Sequence, residues 1–169
     1  MVRRLQRMTI SQTTAKMIRF SKGNTHDIEH FLKVWAYAKT IGELEALDPH
    51  TQYILELAAL VHDIACPYCR EKYGDANGKF QEKEGPAIVR EFFADSGLAG
   101  DEVERIAFLV GHHHTLEGID GPDWQILIEA DYFVNAAENA YSPEAIRHFA
   151  EHYIKTAAGT DICRSVFTV

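Results

Sequence analysis

Three observations predict an all-α fold. Apolar residues recur at helical spacing along most of the chain, no alternating stretch of useful strand length occurs, and prolines and glycines fall where helices start and stop. The first expected helix, Thr9–Ser21, lies in a basic segment. A second, Thr25–Thr40, carries His26 and His30 four residues apart, hence on one face. A third, Pro49–Ile64, opens on Asp48-Pro49, an N-cap side chain ahead of a proline at the first helical position. It continues through the apolar run Tyr53–Val61 to His62-Asp63. The stretch Ala65–Lys79, with Pro67, Gly74 and Gly78, reads as a long loop, and such loops are often functional. Helices over Gln81–Ser96, Asp101–His112, Asp123–Tyr141 and Pro143–Lys155 follow, the last opened by Ser142-Pro143. Gly97 and Gly159 stand where helix ends call for a left-handed residue.

At 169 residues, with 46% apolar and 25% charged side chains, the chain reads as one soluble globular domain spanning 1–169. Its motif-bearing core is expected over about 26–135, with a basic N-terminal helix within 1–24 and a helical extension over 142–169. Residues 1–26 hold Arg3, Arg4, Arg7, Lys16, Arg19 and Lys22 and no acid, so the remainder carries a net −14 against −8 for the whole. That balance excludes a broad nucleic-acid surface. No run is long and apolar enough for a membrane span, and no signal-like run begins the chain. The three cysteines are too few for a disulfide framework and fit a cytoplasmic location. An apolar bundle face is compatible with a homodimer, although no residue requires one.

The chemistry concentrates in four groups: His26 and His30; His62-Asp63; His112-His113-His114; and Asp131 within the apolar run Ile126–Val134. Each interrupts or ends an apolar surface. An imidazole and a carboxylate are costly to bury unpaired, and a divalent cation pairs with both. Taken singly, each group has an ordinary reading as a helix-end cation, a capped carboxylate or a solvated loop. Jointly they suggest a metal site inside a helical bundle.

The order His30, His62-Asp63, Asp131, each member on its own helix, resembles the HD superfamily of metal-dependent phosphohydrolases. His30-Phe31-Leu32-Lys33-Val34 resembles that family's first-histidine motif, Leu57–Ile64 its signature, and Glu129-Ala130-Asp131 its final-aspartate motif. The segments Gln81–Pro86, Val110–Thr115 and Glu129–Asn135 also resemble a bacterial group of predicted HD hydrolases, a likeness that carries no substrate.

The resemblance implies an HD-domain helical bundle with a metal site in its core. His30, His62, Asp63 and Asp131 would be the ligands, and His112 and His113 would occupy the region of further ligands. Two-metal members carry another histidine between the His-Asp pair and the later one, whereas this chain has none from Asp63 to Gly111. Glu82 or Glu84 falls near that place. One divalent ion (Mn, Fe, Co, Ni, Zn or Mg) is therefore expected, with a second site open. The expected activity is hydrolysis of a small phosphorylated compound, a nucleotide foremost, as a phosphatase or phosphodiesterase. Asp63 would orient water, and Glu82, Glu84 or His113 would serve as acid or base. Arg19, Lys79 and Lys83 are candidates to hold phosphate, and His26 to face the substrate. A di-iron oxygenase of HD type and a non-catalytic metal or nucleotide sensor are the alternatives.

Cys66-Pro67-Tyr68-Cys69 has the spacing of a redox pair but follows an apolar helix in a chain without strands. Loop thiols are the simplest reading, and a redox-sensitive gate beside the metal is the next. Trp35, Tyr37, Phe92, Phe93, Phe108, Tyr132 and Phe133 are expected mostly in the core, with Tyr132 or Tyr73 available to stack on a base.

Overall fold

A computed structural model describes residues 6–169, and among these every regular element is a helix. In chain order they are α1 (Ile10–Phe20), α2 (Thr25–Leu44), α3 (Pro49–Ala59), α4 (Cys66–Tyr73), α5 (Gly78–Phe92), α6 (Gly100–Val110), α7 (Pro122–Glu138), α8 (Pro143–Tyr153) and α9 (Ala157–Phe167). Arg3 and Arg4 lie outside the described residues.

Two helices form the centre because long stretches of each are buried on every side, with few polar positions. From Ile54 to His62 each residue is buried, as is each from Asp123 to Asp131. Glu56, buried in α3, accepts from Trp35 Nε1 at 2.9 Å and Gln52 Nε2 at 3.0 Å. Around this pair, α2 packs on both α3 and α7, α6 on α3, and α5 on α6. The α5–α6 contact is close because Gly85 faces Val110, where an added Cβ would stand 2.7 Å from Val110 Cγ1.

Several boundaries differ from the sequence reading, each for a local reason. The third helix ends at Ala59, not Ile64. His62 Nδ1 donates to the Ala59 carbonyl at 2.8 Å, which occupies the acceptor that helix continuation would use, and Val61 and Ile64 make tighter bonds to Ala58 and Val61. The expected loop Ala65–Lys79 is largely α4, with Pro67 in its first turn, where a missing N–H costs nothing. Cys66 and Cys69 are thus buried helical thiols rather than loop thiols. Burial pushes both thiols up, with Asp63 adding to the effect at Cys66 and Glu84 at Cys69. A low-pKa redox thiolate is the opposite case.

Gly97 has the expected left-handed backbone, at φ +69°. Gly159 does not terminate a helix. It lies in the first turn of α9, whose N-cap Thr156 accepts from its N–H at 2.9 Å. Glycine is needed there for space: a Cβ would stand 2.1 Å from Glu129 Oε2. That carboxylate is fully buried and cannot withdraw. It accepts from Gln125 Nε2 and Lys155 N at 2.8 Å, Thr156 N at 3.1 Å and Thr156 Oγ1 at 2.6 Å. This network ties α9 to α7, two residues before Asp131. Gly159→Ala is expected to cost about 1–3 kcal/mol by overpacking, read as a lower urea midpoint with an unchanged slope. An unaltered midpoint would show that the network yields.

Candidate metal centre

Four elements deliver the site. α2 presents His30, the turn after α3 His62 and Asp63, the turn after α6 His113 and His114, and α7 Asp131. His62 and His113 are placed by the same device. Each follows the last helical residue by three positions and donates its Nδ1–H to a carbonyl at 2.8 Å, Ala59 for His62 and Val110 for His113. A carbonyl can only accept, so the proton is fixed on Nδ1 and the Nε2 lone pair faces inward. His30 Nδ1 donates to the Glu138 carboxylate at 2.9 Å, with the same result.

The inward atoms converge. His30 Nε2 and His62 Nε2 are 3.1 Å apart, and Asp131 Oδ1 stands 3.3 Å from each. Asp63 Oδ2 is 3.6 Å from His30 Nε2, while its Oδ1 is 3.7 Å from His62 Nε2 and 3.1 Å from His113 Nε2. Asp131 Oδ1 also accepts from Asn135 Nδ2 at 2.8 Å. Among the described residues two overlapping sets could hold a metal: His30, His62 and Asp63, and Asp63, His113 and His114.

The donor chemistry fits a divalent cation. Imidazole nitrogens and carboxylate oxygens with no proton among them repel one another unless a cation sits between. The titration behaviour reports the same demand. Burial pulls His30 down, yet Asp131, Asp63 and Glu138 outweigh it and raise the group to about 9. Burial likewise opposes His113, and Asp63 overcomes it to raise that group too. Asp63 and Asp131 lie well below the usual carboxylate range despite burial, because His62 and His113 act on the first and His30 and His62 on the second.

Two cavities meet this cluster and share Ala76 and Asn135 as walls. One, of about 230 Å³, is polar and is lined by His26, Arg70, Glu138 and Asn139 beside His30 and Asp63. The other, of about 370 Å³, lies against His113, His114 and Asp131.

The predicted residues sort as follows. His30, His62, Asp63, Asp131 and His113 come together. His112 does not: its Nδ1 bonds the Phe108 carbonyl at 2.7 Å and its ring stacks on Phe108, while His114 takes the place beside His113. Glu82 instead braces the turn, accepting from the His114 N–H at 3.1 Å and the Thr115 hydroxyl at 2.9 Å. Glu84 bonds Lys72 at 3.0 Å and the Tyr73 hydroxyl. Arg19, Lys79 and Lys83 are exposed and line neither cavity. His26 does line the polar one, with a side chain 76% exposed. Arg70 and Glu138 escaped the sequence reading. Glu138 was legible as the third member of an Asp131, Asn135, Glu138 stripe at helical spacing, and Arg70 required reading α4 as a helix.

A helical bundle closed on such a histidine–aspartate cluster defines the HD class. The HD domain family matches residues 27–147, and the chain belongs to that family. Its fold is also that of a predicted HD superfamily hydrolase from an uncultured Thermotogales bacterium. That likeness has a TM-score of 0.72 and 18% identity, over 96% of this chain and 87% of that one. No curated protein matches. The fold is thus that of an HD hydrolase, and no described helix is long and apolar enough to cross a membrane.

The raised His30 gives a pH signature. Its folded value near 9 exceeds the ordinary 6.5, so in metal-free protein its stabilising effect is full below pH 6.5 and is lost as pH rises through about 9. The thermal midpoint of chelator-stripped protein should fall across that window. Added Mn²⁺ or Zn²⁺ should remove the fall by replacing the proton. A midpoint of the stripped protein that rises over the same range would contradict the assignment.

Proposed function

We propose that the protein is a metal-dependent phosphohydrolase acting on a small phosphorylated compound. The observation that carries this reading is the convergence of proton-free imidazole and carboxylate atoms at the meeting point of two cavities, one of them holding an arginine. His30, His62, Asp63 and Asp131 would hold the principal ion, and Asp63, His113 and His114 mark the place for a second. A divalent ion there supplies Lewis acidity, drawing charge from a phosphoryl oxygen and making water a stronger acid.

The chain's own groups do the rest. Asp63, at 20% of its side chain, is more exposed than His30, His62, His113 and Asp131, and directs one oxygen toward His30 and the other toward His113. It is placed to orient a water molecule for attack. With only the principal ion bound, His113 would take up a second proton on Nε2, 3.1 Å from Asp63 Oδ1, and act as the acid–base group, whereas Glu82 and Glu84 are already committed elsewhere. Arg70, held by Asp27, is the guanidinium in reach of a phosphate in the polar cavity. In the reaction the water oxygen would bond to phosphorus and give its proton to Asp63, the ester P–O bond would break, and the alcohol would leave with the proton of His113, which Asp63 restores across the 3.1 Å contact.

Metal analysis joined to phosphate release from monoesters, nucleotides and cyclic dinucleotides tests the reading. Asp63→Ala should lower release by about 10²-fold or more, the scale of losing a principal electrostatic group. His62→Ala and Asp131→Ala should each lose bound ion. Unchanged turnover in the first, or unchanged metal content in both others, would sink the proposal. Iron with oxygen consumption and no phosphate release would replace it with the oxygenase reading.

A further inference from the structure

The larger cavity differs in kind from its neighbour. Leu116, Ile128, Tyr132, Phe149 and the exposed Tyr141 form an apolar part of its lining, opposed by the polar Gln81 and Asn135 and the cluster residues. Tyr132 and Phe149 stack with ring centroids 3.5 Å apart and planes within 3°, and the Tyr132 hydroxyl donates to the Ala145 carbonyl at 3.2 Å, which pins the ring. Among the described residues no lysine or arginine lines this space. The polar cavity, by contrast, contains Arg70. Because Asp131 and His113 also line the larger cavity, a group seated there and a phosphate at the cluster can belong to one molecule.

Resting on the phosphohydrolase reading, we infer that this cavity seats the organic part of the substrate, and that this part is flat, apolar or aromatic and carries no second phosphate. The physical grounds are separable. A rigid aromatic wall favours a flat ring, which gains from stacking beyond burial alone. A second phosphate entering a cavity without a guanidinium or ammonium would be desolvated and left unpaired. The volume of about 370 Å³ is near the lower end of the roughly 300–1,000 Å³ typical of small-molecule sites and suits a one- or two-ring group.

The test separates binding from turnover. Mn²⁺-loaded protein is titrated calorimetrically with 1-naphthylmethylphosphonate and with methylphosphonate, neither of which can be hydrolysed. Phosphate release is measured from 1-naphthyl phosphate, glycerol phosphate and a sugar bisphosphate. The naphthyl phosphonate should bind about tenfold or more tightly than the methyl compound, and kcat/KM should rank naphthyl phosphate first and the bisphosphate last. Leu116→Lys and Tyr141→Ser, at a half-buried and an exposed position where folding tolerates change, should raise KM for naphthyl phosphate about tenfold with a smaller effect on kcat. Leu116→Lys should also narrow the gap to the bisphosphate. Equal affinity for the two phosphonates, or preference for the bisphosphate, overturns the inference even if phosphate is released. Preferential phosphonate binding without release from any ester supports the seat and removes the hydrolytic reading instead.

Discussion

Everything at the centre of this molecule depends on where three imidazole protons are held. His62 and His113 give theirs to the Ala59 and Val110 carbonyls, and His30 gives its own to Glu138. Once those bonds form, the three Nε2 lone pairs point at one another and at two buried carboxylates. Such an arrangement has no counterpart in ordinary core packing, where buried polar atoms pair donor with acceptor. It is self-consistent only with a cation or extra protons between the ligands. The second-row bonds therefore set both the geometry of the cluster and its demand for charge.

The same bonds shape the fold. A histidine side chain that takes the carbonyl three residues back competes with helix continuation, so α3 and α6 end where the cluster begins. Their final turns bring His62, Asp63 and His113 away from the helix axes. α7 follows the other solution: it runs through, and Asp131, Asn135 and Glu138 form a polar stripe along one side of it. Glu129 lies off that stripe and is consumed by Gln125 of α7 and by the link to α9. Two carboxylates two residues apart thus have opposite fates, one structural and one facing the cluster.

Much of this was legible in the residues, and the failures have physical causes. The helical class and the meeting of His30, His62, Asp63 and Asp131 follow from periodicity and from the motif order. The partner of His113 was misassigned because periodicity continues α6 through His112, whereas the chain leaves the helix at Gly111 and brings His114 forward. Proline and glycine made residues 65–79 resemble a loop, but Pro67 sits where a helix accepts it, and Arg70 was lost with α4. Gly159 suggested a stop, yet its requirement is the space taken by a carboxylate thirty residues earlier in the chain. No local pattern encodes a contact of that range. Glu82 and Glu84 were candidates by type and position, and only tertiary structure shows their hydrogen bonds spent on a turn and on α4.

Charge balance ties the cluster to the proposed substrate. Glu138 is offset by Lys33 at 3.1 Å, and Asp27 by Arg70. That leaves Asp63 and Asp131 as the uncompensated anions of the cluster, and one divalent ion neutralises them. A phosphate dianion would then approach a centre with no net charge, in a site where desolvation penalises an unpaired anion. On the phosphohydrolase reading further positive charge is needed when substrate binds, and besides Arg70, already paired with Asp27, the cluster has room for it beside Asp63 on the His113 side. A proton on His113, which Asp63 already favours, supplies it with one ion bound, and a second ion between Asp63, His113 and His114 supplies it without that proton. With no histidine from Asp63 to Gly111, that reading would leave the electrostatic requirement intact and move it onto His113. On the proposed reading, the residue that would balance a bound phosphate would then also give its proton to the departing alcohol.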